Sequence, residues 1–377
     1  MKKVITMIYL AKVELQEILK RKNVRLLALA IAMFMVLPNL IGCIRISKDF
    51  GSISNYKEVA KSFEEKYTRK ELRDLYQESL NKQLSSAELT NEDKAILSEL
   101  RTANKAEVSY FMGEESYTLS QIEERLKEMD KTGEKESYEY KKLEKAFNMI
   151  SKVPEYEYRY TGGWMNLTDF NVAATFITIL VVLGLAPLFN NDNNGNMTEV
   201  VLSTREGRRK AVTSKIMAGL IYGMIVFLYI NSLNFISGFP LGLDGANGPA
   251  NSLYGATSTP YNITIIEYYF TCLGLAFIAT LLFALIVMIL SLLIKNLMAT
   301  IITGVGLYFL SPSLINIFRD VDVISTLRAK AMVGHFTAIN IFGTPVMQIK
   351  VAVIMSIISI VIATFLIKYL GKKRVLA

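Results

Sequence analysis

The chain has 377 residues, of which 51% are hydrophobic and 20% charged, and its mean hydropathy is +0.31. A soluble domain of this length sits below zero on that scale, and here charge-free runs alternate with stretches dense in Lys and Glu, the composition of a membrane protein carrying a water-exposed insert. The net charge of +8 arises from basic residues beside the ends of apolar runs rather than from a nucleic-acid patch, and one histidine and two cysteines without CxxC or HExxH spacing speak against a metalloenzyme.

Residues 1–23 carry Val4, Ile8, Ala11, Leu15 and Ile18 at four- and three-residue spacing, with Lys12, Glu14, Gln16, Glu17 and Lys20 elsewhere on the wheel. This predicts an amphipathic helix along the cytoplasmic membrane surface, leading into the first span. A helix crossing the hydrocarbon needs about 20 largely apolar residues. Residues 24–44 form the first such span, apolar from Leu26 to Ile44, with Pro38 and Asn39 near its far end.

Residues 45–169 then form an extracellular domain. Leu72, Leu75, Tyr76, Leu80 and Leu84 recur at helical spacing, and Ser120 with Glu123 reads as a capping box for a helix towards Met129. The Tyr-rich piece from Tyr156 to Trp164 reads as extended. Residues 170–377 supply five more spans: Phe170 to Phe189, Ile216 to Phe239, Tyr268 to Ile294, Leu297 to Phe318 and Val351 to Leu370. Lys295 and Asn296 make a tight turn between the fourth and fifth. Within the outer segment 319–350, Met332 to Met347 is broken by Gly334, Gly343 and Pro345, and reads as interfacial or re-entrant, with a seventh span as the alternative. The expected fold is therefore an all-α integral membrane protein of six spans, with a mostly helical extracellular domain between spans 1 and 2.

Orientation follows from the short loops. Lys2, Lys3, Lys12, Lys20, Arg21, Lys22 and Arg25 precede the first span, and Lys372, Lys373 and Arg374 follow the last. Arg205, Arg208, Arg209, Lys210 and Lys215 lie between the second and third spans, whereas Pro240 to Glu267 contains no Lys or Arg. Both termini are thus expected in the cytoplasm. Abundant Lys, Asn and Ile suggest a bacterial source, and hence a bacterial plasma membrane. Arg319, Arg328 and Lys330 on the outer side run against the pattern.

Other motifs have bland readings that outweigh the sharp ones. Leu40-Ile41-Gly42-Cys43 resembles a lipoprotein signal, and Cys43 and Cys272 both fall near outer ends of spans, where a disulfide is conceivable. Both cysteines are read as small apolar packing residues. His335 lacks an acid or nucleophile nearby in sequence and reads as structural. The triplets at Asn166 and Asn262 matter only in a eukaryotic host.

The apolar cores contain no Asp, Glu, Lys or Arg; their polar residues are neutral, among them Asn39, Asn231, Asn234, Thr175 and Ser291. Ion-coupled carriers and intramembrane enzymes place ionisable groups there. Any transport would therefore draw its energy from elsewhere. The cytoplasmic loop 190–215 offers the place: an Asn-rich turn leads to Val200, Val201 and Leu202, then to Arg205, Glu206, Arg208, Arg209 and Lys210. An apolar knob ringed by charge suits a groove on a soluble partner. The alternative is a basic loop that only fixes topology.

At this loop the sequence resembles the membrane subunits of ABC type 2 transporters, the family of bacterial drug, bacteriocin and lipid exporters. The family pattern is an acidic residue, then leu-leu-ser-thr-pro, then an Arg and a Lys opening the third span. The matching positions are Glu199, Val201-Leu202-Ser203-Thr204, Arg208 or Arg209, and Lys215, with Arg205 where the family has Pro. The leading amphipathic helix, six spans and outer domain extend the resemblance over most of the chain. It implies a permease subunit without catalytic or cofactor-binding residues of its own, since no GxxxxGK[ST] loop is present and ATP would be bound by a separate ATPase subunit. It further implies a second permease copy or a paralogue, a hydrophobic or amphipathic cargo, and ATPase coupling through Glu199, Val201, Leu202, Arg205, Arg208, Arg209 and Lys215. Competing readings are a membrane sensor with an extracellular ligand-binding domain, and a four-span permease that transmits force.

Overall fold

The computed structural model describes residues 2–64, 66–67, 69–100, 110–112, 115–168, 170–190, 205–253, 255–315 and 329–374. Within these residues the chain is mostly helical, and five helical stretches are long and apolar enough to cross a membrane: Lys22–Phe50, Val172–Asn190, Lys210–Leu241, Ile265–Leu293 and Gln348–Lys372. The protein is a multi-pass membrane protein. The expected sixth span, Leu297 to Phe318, corresponds to a shorter apolar helix over Leu297–Ile315, while 316–328 lie outside the described residues.

The first helix, α1 (Lys2–Lys20), is followed after a break at Arg21 by α2 (Lys22–Phe50). α2 continues past the expected end at Ile44 and stops where Gly51 adopts φ +80°, a conformation that glycine reaches without a side-chain clash. Val24, Ile31, Met35 and Cys43 are buried on one face of α2. Leu26, Leu29, Met33, Phe34, Leu37 and Ile41 are exposed, as suits a helix bordering lipid. The lipoprotein-like run is thus helix interior, and Cys43 and Cys272 are both buried and not joined to each other.

The insert contains α3 (Ile53–Lys61), α4 (Arg69–Leu84), α5 (Asn91–Glu99), the hairpin β1 (Tyr110–Met112) and β2 (Glu115–Tyr117), α6 (Leu119–Lys131) and α7 (Tyr138–Ile150). The leucine spacing in α4 is borne out: Leu72 is buried, and Leu75 and Tyr76 pack beside it. The helix towards Met129 forms, but its capping box is Thr118 with Gln121 rather than Ser120 with Glu123. Thr118 is the last extended residue after β2, so its hydroxyl reaches the Gln121 N–H first. The Tyr-rich segment is non-helical from Tyr156 to Thr161, with Tyr156, Tyr158 and Tyr160 all buried, but Trp164, the expected end of the extended piece, opens a helix instead.

The bundle follows: α8 (Trp164–Leu167), α9 (Phe170–Leu185), α10 (Pro187–Asn190), α11 (Arg205–Gly238), α12 (Ile265–Leu293), α13 (Leu297–Ile315), α14 (Ala329–Gly334) and α15 (Gln348–Arg374). α12 packs against α9, α11 and α15. Its middle supplies Phe283, Ala284, Leu285, Val287 and Met288 to the main core. The turn at Lys295–Asn296 is as tight as expected: Asn296 caps α13 by accepting the Ala299 N–H at 3.1 Å.

Between α14 and α15 runs a hairpin of β3 (Ala338–Ile341) and β4 (Thr344–Met347), with Ala338 opposite Met347 and Ile341 opposite Thr344. Met332 to Met347, read as interfacial or re-entrant with a seventh span as the alternative, is therefore neither a re-entrant segment nor a span. Its apolar residues Phe336 and Met347 find partners in Leu143, Ala146 and Ile150 of the insert instead of lipid. Gly343 and Pro345, which broke the helical pattern, sit at the turn and at the second residue of β4.

The apolar stripe of α1 also faces protein. Ala11 and Ile18 are buried, Leu15 packs on the main core, and α1 runs along α11. The sequence had directed this stripe at the membrane surface. α11 offers a complementary stripe in Val212 and Ile216, and burial against it removes the same apolar area from water. Ile8 alone of the described stripe residues stays exposed.

Candidate functional site at the basic end of the bundle

One end of the bundle collects the α1–α2 elbow, the C-terminal ends of α9–α10 and α15, the start of α11 and the α12–α13 turn. The loop singled out by sequence leaves from Asn190 and returns at Arg205 at this end. Glu199, Val201 and Leu202 lie outside the described residues. Arg205, Arg208 and Arg209 fall in the first turns of α11, and their side chains are likewise outside what the structure describes. Lys215 is described in full.

Lys215 is 8% exposed. Its Nζ donates to the Leu188 carbonyl at 2.9 Å and stands 5.3 Å from the centre of the Phe189 ring. Leu188 and Phe189 belong to the last turn before the loop, where helix carbonyls have no intrahelical partner and the helix dipole favours a cation. One buried ammonium therefore closes the base of the loop, linking the helix that precedes it to the helix that follows.

Arg21 makes a second tie of the same kind. Its Nη1 donates to the Gly184 carbonyl at 2.7 Å, one turn before Leu188, so the α1–α2 elbow is fastened to the same helix end. Arg25 holds the elbow itself, Nε donating to the Leu19 carbonyl at 2.8 Å. The carbonyl of Gly184 is accessible to Arg21 in a crowded spot: a Cβ on Gly184 would stand 2.2 Å from Cε1 of Tyr222. That ring stands against the glycine, and its hydroxyl donates to the Leu180 carbonyl at 2.8 Å.

The helix is broken between α9 and α10 because Pro187 has no N–H to donate. Ser291 of α12 repairs the break: its Oγ donates to the Ala186 carbonyl at 2.6 Å and accepts the Phe189 N–H at 3.1 Å. Asn190 adds bonds to the Ala186 carbonyl and to Thr300 at the start of α13. Sequence reading counted Arg21 only as a topological charge and Ser291 only as a neutral packing residue. The Pro187 break beside a serine-bearing helix was the available signal for the latter.

Three elements, the α1–α2 elbow, α11 and α12, are thus joined to the α9–α10 end by side chains donating to its carbonyls. A displacement of the loop that moved Lys215 would be passed to α9–α10, and from there through Arg21 to α1 and through Ser291 to α12. Among the described residues there is no group of three His, Cys, Asp or Glu side chains able to hold a metal.

At the other end, the insert holds an unusual carboxyl. The Tyr56 hydroxyl donates to Oε1 of Glu99 and lies 2.9 Å from the Ser98 hydroxyl. Burial among Tyr56 and Tyr158 pushes the Glu99 carboxyl above the ordinary carboxylate range. At the start of the same helix Asp93 is shifted the opposite way, down to about 2. There the Thr90 hydroxyl, the Lys82 ammonium, the Thr90 N–H and the Ser79 hydroxyl all donate to the ionised form.

No protein-family model, curated protein sequence or solved structure matches the chain. Function is accordingly argued from the site itself.

Proposed function

We propose that this chain is the permease subunit of an ATP-binding-cassette exporter, and that the basic end of the bundle is where a separate ATPase subunit engages it. The observation that carries this reading is the Lys215–Leu188 tie, with Arg21 on Gly184 beside it. Together they join the base of the 190–215 loop to the α9–α10 end and to the α1–α2 elbow. A loop that only fixed topology would need its positive charges in water, not a buried ammonium on the backbone of the preceding helix.

In this reading α13 and the residues after it complete a sixth span, and both termini lie in the cytoplasm of a bacterial cell. The insert then lies outside as an extracellular domain. Six spans form half of a transporter, completed by a second copy or a paralogue. The apolar cores of the spans carry neutral polar groups only, so the cargo would be hydrophobic or amphipathic, a peptide, antimicrobial or lipid, and the energy would come from ATP bound by the partner. Glu199, Val201, Leu202, Arg205, Arg208 and Arg209 would form the surface presented to that partner, with Lys215 behind them.

The test is to purify the full-length chain from native membranes and identify what accompanies it. An ATPase subunit is expected, with its ATP hydrolysis raised by the permease, and the pair of substitutions Glu199→Lys and Arg208→Glu should abolish both association and stimulation. Association and hydrolysis unchanged by the reversal would remove this loop from the coupling role.

A further inference from the structure

The β3–β4 hairpin is closed by two residues, Phe342 and Gly343, with φ of 49° and 77°. Two consecutive positive φ values at a two-residue loop define a type I′ turn, whose first position favours Asn, Asp or Gly. Phe342 is therefore held in the left-handed region, where a bulky residue is strained. Its ring gains nothing from the other described residues in return, being fully exposed at 103%. Ile341, Gly343 and Thr344 beside it are exposed as well.

The base of the hairpin is fixed. Phe336 and Met347 are buried with Leu143, Ala146 and Ile150. The Tyr138 hydroxyl donates to the Ala338 carbonyl at 3.3 Å, and Lys145 Nζ donates to the Pro345 carbonyl at 2.5 Å. β4 runs into α15 without an intervening residue, so the hairpin is rooted at the mouth of a membrane-spanning helix. Strands of this length place the tip within about 14 Å of that mouth, at 3.4 Å per residue. No charged residue occurs between His335 and Lys350. The tip also satisfies its own backbone, the Gly343 N–H donating to Asn340 Oδ1 at 2.8 Å, which lowers the cost of leaving water.

We propose that this tip is an interfacial membrane anchor: Phe342, with Ile341 beside it, enters the boundary between headgroups and acyl chains of the leaflet in which α15 begins. Phe, with Trp and Leu, is among the apolar side chains that interfacial segments bury at the headgroup and acyl-chain boundary. Exposed Lys350, in the first turn of α15, stands where a lysine reaches lipid phosphates. The anchor would fix the height of the α6–α7 pair above the membrane, because that pair is bonded to the hairpin through Tyr138 and Lys145. The inference is independent of the transport reading.

The experiment uses the full chain reconstituted into vesicles of phosphatidylcholine and phosphatidylglycerol. Phe342→Trp is compared with the parent, whose single tryptophan, Trp164, is buried and supplies the blank. The anchor predicts a blue-shifted difference spectrum, quenched by phosphatidylcholine with brominated chains and protected from iodide. A red-shifted spectrum quenched by iodide alone would place the tip in water and overturn the proposal. Protection from both quenchers would mean that a protein covers it, which overturns the proposal equally. Should the tryptophan variant not fold, Phe342→Cys carrying a nitroxide reads the same distinction, through collision with oxygen against a water-soluble nickel chelate.

Discussion

At the basic end of the bundle, Arg21, Lys215 and Ser291 each place a side-chain donor on a carbonyl of α9–α10, and these few polar bonds join four elements. At the opposite end the chain is held by a close approach of backbone to backbone, with further side-chain donors on carbonyls around it. Gly163 donates its N–H to the Gly242 carbonyl at 2.8 Å, and a Cβ on it would stand 2.2 Å from the Gly238 carbonyl oxygen. Tyr160 donates to the Leu241 carbonyl, Asn251 to Pro154 and Ser252 to Glu157, so the 239–264 loop is bound to the strand-like segment of the insert along its length. Close-packed backbone has no second arrangement of similar energy, whereas a long cationic side chain can move from one carbonyl to another. The contrast places adjustable contacts at the basic end and fixed ones where the insert meets the spans.

The largest effect should come from the fixed end. Gly163→Ala forces a methyl group into two carbonyl oxygens and should cost roughly 3 kcal/mol, at the upper end of overpacking penalties. Thermal unfolding in detergent would show a lowered midpoint; a midpoint unchanged from the parent would contradict the tight approach of 163 to 238 and 242. At the adjustable end, Lys215→Met should cost about 2 kcal/mol, the worth of a buried hydrogen bond from a charged donor. Arg at this position keeps the charge and should recover most of the loss. Equal stability of the Met variant and the parent would mean that the tie is not formed.

The two shifted carboxyls of α5 sharpen the comparison within the insert. A Glu99 carboxyl raised in the folded state stabilises the fold at low pH, where both states are protonated. That contribution falls as pH rises from the unfolded value, about 4.3, through the folded one, and is flat above it. Glu99→Gln should abolish this decline and be at least as stable as the parent at neutral pH. Asp93 works in the opposite sense: its contribution is present above about 3.9 and is lost as pH falls towards about 2. Chemical denaturation followed at stepped pH separates them, since Asp93→Asn should flatten the acid limb alone. The smallest effect is at the hairpin tip. Phe342→Asn relieves a left-handed aromatic and should stabilise the protein in detergent by about 1 kcal/mol. A loss of stability there would show that the ring packs against the chain after all.

Much of the architecture was legible because apolar runs declare themselves. The five long apolar helices, the turn at Lys295–Asn296, the helical register of α4 and the non-helical Tyr156–Tyr160 piece all follow from periodicity and local turn chemistry. What was misread involved a choice of partner. The α1 stripe was assigned to the membrane surface because an amphipathic helix has the same pattern whether lipid or another helix covers it. Met332–Met347 was read as interfacial or re-entrant because its apolar residues carry no mark of the insert, some 190 residues earlier in sequence, against which they pack. The capping box slipped by two residues because Thr118 and Ser120 are both followed three positions later by a suitable side chain.

The sequence by itself determined that this protein lives in a membrane, roughly where its helices run, and that a large insert follows the first span. These are one-dimensional properties, set by the length and composition of each segment against the thickness and polarity of the bilayer. Only the tertiary structure decided which carbonyls receive Arg21, Lys215 and Ser291, and that the hairpin before the last span joins the insert. Those bonds connect residues 27 to 200 positions apart, and a hydrogen bond across such a separation depends on where packing brings two backbones together.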